Sequence, residues 1–241
     1  TVFEGVADTV AWLEKERSIK VRYMTNNATL SREQAAAKFR SRGLKSARVE
    51  NIYSSAYVGA LHLGTKLAND PSTPNKFNKN VFVVGTEGLH QEVREVLAPG
   101  RMTYGLELNE VPYNGSKVAS SFVKKHLPAP KGSTSGGKNV SLSDLDIGAV
   151  IIGLDWGWNI HKLSVASMLL QQHKRIKGKE EVHFVSTNRD PQIPMGKEGW
   201  LLPGAGAQVE SLVAVSGRQP DVVCGKPNLP MIELLFEQEK I

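Results

Sequence analysis

Two short stretches decide the fold of this chain: Tyr23-Met24-Thr25-Asn26-Asn27 and Val222-Val223-Cys224-Gly225-Lys226-Pro227. In the first, an apolar strand end runs into a hydroxyl and two amides. In the second, an apolar strand end runs into a glycine and a lysine. Hydroxyl, backbone N–H and ammonium groups at the carboxyl edge of a parallel sheet are donors that a phosphate-binding crevice uses. If both stretches line one crevice, the long interval between them is a large insertion.

The residues around the first stretch alternate between helix and strand patterns. Residues 3–17 have apolar positions at helical spacing, and residues 21–24 form a short apolar strand pattern. Ser31, followed three residues later by Gln34, predicts a capping box at the start of the next helix. Residues 52–67 then predict a strand that runs into a helix. Such alternation favours a parallel sheet covered by helices.

A change in composition marks the start of the insertion. Residues 69–80 are rich in Asn, Pro and Ser, which is typical of a linker. Beyond them the chain predicts a second α/β unit. Its expected strands are 81–84, 149–154 and 183–186, and its expected helices are 87–97, 161–172 and 205–215. We therefore place the domain junctions near Asn78 and Asp221. The predicted domains are a core of residues 1–78 and 221–241 and an insertion of residues 79–220.

The composition of the chain limits the environments and the binding partners that it is suited to. With 241 residues and 40% apolar residues the chain can bury a real core, and its longest apolar runs are too short to suggest a membrane span. The single Cys224 suits a reducing compartment such as the cytoplasm. The net charge of +6 permits an anionic partner, but the basic residues are spread along the chain. The densest basic run, residues 173–179, is typical of a solvated helix end, so a nucleic-acid partner ranks last.

The chain resembles the haloacid-dehalogenase (HAD) superfamily of phosphatases. More narrowly, it resembles the p-nitrophenylphosphatase/phosphoglycolate phosphatase branch, which has a large C2-type cap between its second and third motifs. The segments that carry the resemblance, in family order, are Thr25-Asn26-Asn27-Ala28-Thr29, 83–89, 150–155, 161–163, 187–190, 202–206 and Gly225-Lys226-Pro227. The resemblance implies a Rossmann-like parallel-sheet HAD core, incomplete in this sequence, with a large inserted α/β cap.

Two motifs of the resembled family are not in this sequence. The nucleophile motif Asp-x-Asp-Gly would lie before Thr1, and the metal-binding Gly-Asp-x-x-x-Asp motif would lie beyond Ile241. The one Asp-x-Asp here, Asp144-Leu145-Asp146, lacks the adjacent Gly, and we interpret it as loop. We therefore expect the sequence to be a fragment, the Mg²⁺ ligands to lie outside this chain, and no metal ligand among its own residues.

The resemblance assigns roles to several residues. In the family an Asp attacks phosphorus to give an aspartyl-phosphate, and Mg²⁺ bridges nucleophile and phosphate. Thr25 matches a hydroxyl that binds a phosphoryl oxygen, although a strand-end Thr can also simply cap the following turn. Asn26 and Asn27 tolerate the backbone of a tight turn, and we assign both to phosphate binding, Asn27 because it matches a phosphate or substrate contact of the family. Lys226 matches the lysine that holds nucleophile and phosphate together despite their repulsion.

The insertion would supply specificity. Residues 188–193 match the family's cap loop near the active-site mouth. Arg189 in this loop could contact an anionic substrate or pair with Asp190 on the surface, and the sequence leaves both open. Ile193 stands where related pyridoxal phosphate phosphatases carry His, which argues against that substrate. The resemblance also leaves open a homodimer formed through the cap.

Two functions from different classes remain. The first is a Mg²⁺-dependent phosphatase that hydrolyses small phosphorylated metabolites, such as p-nitrophenyl phosphate or phosphoglycolate-like monoesters, in the intact protein. The second is a non-catalytic phosphate-binding or scaffolding protein of the same fold. Neither the dinucleotide-binding glycine pattern nor the P-loop pattern occurs, so NTP or dinucleotide binding has little support.

Overall fold

The computed structural model describes residues 3–68, 72, 74–111, 127–129, 141–178 and 180–241. In these residues the strands are β1 (Tyr23–Thr25), β2 (Ile52–Ser54), β3 (Asn80–Val84), β4 (Thr103–Tyr104), β5 (Ile147–Ile152), β6 (His183–Ser186), β7 (Gln192–Met195), β8 (Trp200–Pro203) and β9 (Val222–Val223). The helices are α1 (Val6–Glu16), α2 (Arg32–Ser41), α3 (Ser55–Lys66), α4 (Glu87–Val96), α5 (Ile160–Arg175), α6 (Ala205–Ser216) and α7 (Pro230–Glu239).

A parallel sheet is the centre of the molecule. Five of the described strands form it in the order β4-β3-β5-β6-β9, and every neighbouring pair is parallel. β1 and β2 pair as a separate parallel two-stranded sheet, and β7 and β8 form an antiparallel hairpin. α4 joins the parallel neighbours β3 and β4, and α5 joins β5 and β6, as expected for parallel strands. The fold is therefore α/β, as the sequence predicted.

The central strands are apolar because both faces of the sheet are covered. Side chains alternate between the faces, so one face takes Phe82 and Val150 and the other takes Val83 and Ile151. The first face packs against α5 and α6, and the second packs against α3 and α4. The result is a three-layer arrangement of helices, sheet and helices.

The helix starts follow the sequence closely. Ser31 caps α2: its hydroxyl accepts from Gln34 N while the Gln34 side chain accepts from Ser31 N, which confirms the predicted capping box. Ser54 accepts from Tyr57 N and caps α3 in the same way. Ser54 is the last residue of β2, and Ser31 lies on the segment that follows β1. They therefore fix the paths of the chain leaving β1 and β2.

The predicted α/β alternation is confirmed, but several elements were not predicted. The two-residue β4 and the β7–β8 hairpin had no counterpart in the sequence interpretation. Asp144, read as loop, lies in a single 3₁₀ turn (Leu142–Leu145), and Asp146 follows it with a φ of 49°. Part of the predicted low-complexity loop, residues 130–140, lies outside the described residues. No described helix combines the length and the apolar character needed to cross a membrane.

The predicted division into core and insertion stays a prediction. β9, placed in the second core segment, pairs in this structure with β6 of the insertion. One apolar cluster also joins residues of all three predicted segments, including Tyr53, Val83 and Cys224. The two predicted domains therefore share packing.

Candidate functional site

The carboxyl ends of β1, β6 and β9 meet at one place. Parallel strands deliver their carboxyl ends to the same side of a sheet, and the loops that follow them are polar. β1 leads to Asn26 and Asn27, β6 leads to Asn188 and Asp190, and β9 leads to Lys226. The two stretches that decide the fold are thus brought together in space.

Asn26 joins these loops through its side chain. Its Oδ1 accepts from the backbone N of Lys226 at 2.8 Å, and its Nδ2 donates to the backbone O of Lys226 at 2.9 Å. The same Nδ2 lies 3.0 and 3.1 Å from the two carboxylate oxygens of Asp190. One amide therefore fixes the loop after β9 and the loop after β6 relative to β1.

The backbone of Asn26 is held from the opposite side. Its carbonyl oxygen accepts from Ser55 Oγ at 2.7 Å and from Asn188 Nδ2 at 2.8 Å. Ser55 and Asn188 are buried, so these contacts are shielded from water. Buried, satisfied polar networks of this kind restrict the geometry of the chain they hold. The turn after β1 is therefore rigidly placed, although the groups that it presents are exposed.

Lys226 is the cation of this site. Its Nζ donates to the backbone O of Met24 at 3.3 Å, and no carboxylate among the described residues forms an ion pair with it. An exposed ammonium has three N–H donors. Those not used by Met24 remain available for an anion beside the end of β1.

Thr25 and Asn27 shape the turn next to Lys226. Thr25 Oγ1 accepts from Asn27 N at 3.1 Å, so the turn-capping role that the sequence left open is present. Accepting a hydrogen bond leaves the hydroxyl hydrogen free to donate to an anion, so the two roles are compatible. Asn27 Oδ1 in turn accepts from Thr29 N and Thr29 Oγ1 at 2.8 and 2.7 Å.

Arg189 is engaged elsewhere. Its guanidinium pairs with Glu210 on α6 and donates to Gln219 at 3.4 Å. It does not pair with Asp190, whose carboxylate is bound by Asn26. A substrate contact by Arg189 stays a prediction, and it would require the guanidinium to leave Glu210.

Sequence reasoning did not assign roles to Ser55 or Asn188, and it considered Asp190 only as a surface partner of Arg189. The available signal was the position of Asn188 and Asp190 directly after a predicted strand, which matches the position of Asn26 after β1. Ser55 gave no such signal, because a serine at a helix start is expected for local reasons alone.

Two further observations concern a nucleophile and a metal at this site. Burial raises the pKa of the Cys224 thiol to about 12, so Cys224 is a packing residue and not a nucleophile. Across the part of the chain that the structure describes, no three His, Cys, Asp or Glu side chains are grouped as a metal site. Mg²⁺ takes carboxylate and other oxygen ligands, and the absence of metal ligands from this chain stays a prediction.

Comparison with known proteins shows the family to which the chain is related. A family model described as haloacid dehalogenase-like hydrolase matches residues 1–97. Phosphoglycolate phosphatase 2 of Arabidopsis thaliana is 30% identical over 99% of this chain and 66% of its own length. The chain belongs to the haloacid dehalogenase-like hydrolases. A 4-nitrophenylphosphatase of Schizosaccharomyces pombe is likewise 30% identical to this haloacid dehalogenase-like chain, over 96% of it and 65% of the relative.

Solved structures show the same fold. The 4-nitrophenylphosphatase of Thermotoga maritima superposes with a TM-score of 0.67 at 20% identity, covering 100% of this chain and 68% of that one. The glycerol phosphate phosphatase of Mycobacterium tuberculosis in complex with magnesium gives a TM-score of 0.63 at 22% identity, covering 98% and 53%. The chain spans between 55% and 66% of the length of the first curated relatives that it matches.

Proposed function

We propose that the full-length protein is a phosphomonoesterase that acts on small phosphorylated metabolites, of the p-nitrophenyl phosphate and phosphoglycolate kind. The observation that carries this proposal is the fixed approach of Lys226, with no ion pair among the described residues, to the Thr25–Asn27 turn. The names of the relatives, phosphoglycolate phosphatase and 4-nitrophenylphosphatase, support the same reaction class.

The proposed roles follow from what phosphoryl transfer requires. Most of the catalytic effect comes from positioning and from stabilising charge on the transferred oxygens. Lys226 would neutralise charge on the phosphate, and the Thr25 hydroxyl would donate to one of its oxygens. Asn27 would line the same pocket. Asn26, whose side chain is already committed to Lys226 and Asp190, would position the site and not contact the phosphate through that side chain.

The nucleophile and metal belong to the proposal for the longer protein. The resemblance places an aspartate nucleophile and the Mg²⁺ ligands in motifs that this sequence does not contain. A magnesium complex of a structural neighbour supports the use of this metal. When bound, Mg²⁺ would offset the charge of the phosphate.

The remaining parts of the proposal concern organisation. We assign residues 1–78 and 221–241 to the core and residues 79–220 to a C2-type cap, supported by the composition change before β3. A homodimer through the cap and a cytoplasmic location complete the proposal, the latter supported by the single, buried Cys224.

A panel of phosphate esters tests this function with the full-length protein, with and without Mg²⁺. We expect Mg²⁺-dependent release of phosphate from p-nitrophenyl phosphate. Lys226→Ala should lower turnover by roughly two orders of magnitude or more, as expected for loss of one charge-stabilising group, with little change in unfolding temperature. Phosphate binding without any turnover would instead favour the non-catalytic phosphate-binding protein. Full activity of Lys226→Ala would refute the site.

A further inference from the structure

The side chain of Thr86 contacts a distant segment and not its own helix. Thr86 is the N-cap residue of α4, where a Thr ordinarily accepts a hydrogen bond from a backbone N–H of the first helical turn. The Thr86 side chain forms no such bond with the described residues of α4. Its Oγ1 instead donates to the backbone O of Thr29 at 2.7 Å. The hydroxyl therefore serves the segment that follows the Thr25–Asn27 turn.

Thr29 carries this contact on to Asn27. The backbone N and the Oγ1 of Thr29 lie 2.8 and 2.7 Å from Asn27 Oδ1. A backbone N–H can only donate, so the amide atom that faces it is the oxygen, and Nδ2 is turned away from Thr29. Asn27 is exposed, and within the described ranges its Nδ2 has no hydrogen-bond partner. Thr29 thus sets the orientation of an amide whose two N–H donors are available to a ligand.

α4 approaches the same segment, residues 29–32, at two further points. A Cβ at Gly88 would lie 2.6 Å from backbone atoms of this segment, so glycine is needed for the close approach. Glu92, which is 5% exposed, accepts from the backbone N of Arg32 at 2.5 Å and from its Nε at 3.2 Å. Several contacts therefore hold the segment on α4, and loss of the Thr86 hydroxyl alone should loosen it without releasing it.

We propose that Thr86 is a positioning residue for the proposed anion site, and that it orients the Asn27 amide through Thr29. The inference rests on the proposed function and adds to that site a residue at the start of α4. Its physical basis is pre-organisation: an amide that is already oriented loses less conformational freedom when its N–H groups bind phosphoryl oxygens. Loss of the Thr86 hydroxyl should therefore weaken phosphate binding without removing any group that touches the phosphate.

Two substitutions separate the hydroxyl of Thr86 from its shape. Thr86→Val removes the hydroxyl and keeps the branched side chain, whereas Thr86→Ser keeps the hydroxyl. An ordinary hydrogen bond corresponds to about a fivefold change in an equilibrium constant. We therefore expect Thr86→Val to weaken the binding of inorganic phosphate by about fivefold and Thr86→Ser to weaken it by less than about twofold.

Calorimetric titration of the full-length protein with inorganic phosphate measures these affinities. Thr65→Val is the matched control, because the Thr65 hydroxyl also donates to a backbone O, that of Leu61, at 2.8 Å. Thr65 lies about 15 Å along α3 from Ser55, the residue of that helix that contacts Asn26. Thr65→Val should change the phosphate affinity by less than about twofold. Melting curves check the folding of each variant, and Thr86→Ala, with the same expected result, replaces Thr86→Val should that variant unfold.

A double-mutant cycle tests whether Thr86 acts through Asn27. In an Asn27→Ala background, Thr86→Val should weaken phosphate binding by less than about twofold, because the amide that it orients is gone. A loss of about fivefold that persists in this background would overturn the inference. So would a Thr86→Val affinity within about twofold of wild type, or a loss in Thr86→Ser as large as that in Thr86→Val. A wild type that binds no inorganic phosphate would overturn the inference together with the anion site.

Activity of the full-length protein separates this inference from the proposed function. Because the Asn27 amide would bind the phosphate in the ground state and the transition state alike, Thr86→Val should raise KM for p-nitrophenyl phosphate by about fivefold and leave kcat within about twofold. A variant that is merely partly unfolded would lose kcat at an unchanged KM. An unchanged KM beside wild-type turnover would defeat the inference and leave the phosphatase intact. The expected phosphate affinities without turnover of any ester would defeat the phosphatase and leave the inference standing.

Discussion

The five-stranded sheet and the β1–β2 pair differ in how deeply they are packed. Every residue of β3 is buried, whereas all three residues of β1 are only partly buried. α1, which precedes β1, has no buried residue, and Phe3 and Trp12 on that side are exposed. The proposed site thus joins a thinly packed part of the molecule to a well-packed one.

That difference shows what holds the site together. Where apolar packing is sparse, the hydrogen bonds of Asn26 supply the connection between β1, β6 and β9. Each such bond contributes about 1 kcal/mol, more where the acceptor is charged. The large sheet therefore provides stability from apolar burial, and the site depends on a small number of polar contacts.

The largest effect should come from a buried ion pair in the well-packed region. Lys162 on α5 is 0% exposed and its Nζ lies 2.5 Å from Oδ2 of Asp155, which is 3% exposed. Lys162→Met would leave Asp155 as a buried, unpaired charge and should cost about 3–5 kcal/mol of unfolding free energy in urea denaturation. Lys20→Met, at an exposed position, is the control and should cost less than about 0.5 kcal/mol. A loss below about 1 kcal/mol for Lys162→Met would contradict the role of this pair.

A pair of truncations compares the two sheets directly. Ile151→Ala in β5 removes a fully buried side chain and should cost about 3 kcal/mol, because its surroundings cannot collapse into the cavity. Met24→Ala in β1 removes a partly buried side chain of similar size and should cost about 1 kcal/mol. Both values come from the same urea titration. Equal losses would show that β1 is packed as tightly as the central sheet.

A graded, pH-dependent effect, small over any single pH unit, should come from His90 on α4. Burial, reinforced by Arg94 and Lys162, lowers its pKa from the usual 6.5 to about 3. Its ring also contacts Thr103 Oγ1 at 3.0 Å. Between these values the unfolded chain binds a proton that the folded chain does not, so stability is retained above about pH 6.5 and falls as the pH drops towards 3.

The His90 effect can be measured by comparing wild type with His90→Gln. Each pH unit in that window should cost the wild-type chain about 1.4 kcal/mol from this histidine, and the variant should lack that share of the slope. Denaturant unfolding at a series of pH values gives both slopes. Parallel slopes would mean that His90 can be protonated within the folded state.

Local rules predicted the fold well where the local signal was strong. The buried strands had long apolar runs, and the Ser31 cap was readable from a pair of residues. The β7–β8 hairpin was missed because Pro194 interrupts its first strand, and Pro in a strand argues against that assignment. β4 was missed because two residues make no pattern.

The site was predictable only in part, because only some of its residues carry a local sequence signal. Thr25 and Lys226 could be selected because each follows an apolar strand end with hydrogen-bond donors. Asp190 and Asn188 could not be assigned partners, since those partners lie in distant parts of the chain. The side-chain choice of Arg189 between Asp190 and Glu210 likewise depends on where α6 packs.

The most direct test of the account is a double-mutant cycle between Thr25 and Lys226. Inorganic phosphate affinity would be measured calorimetrically for wild type, Thr25→Val, Lys226→Ala and the double variant. If both side chains bind one phosphate, the losses should be non-additive, with a coupling energy of about 1 kcal/mol or more. Losses that add to within about 0.5 kcal/mol would place the two residues in separate sites and contradict the account.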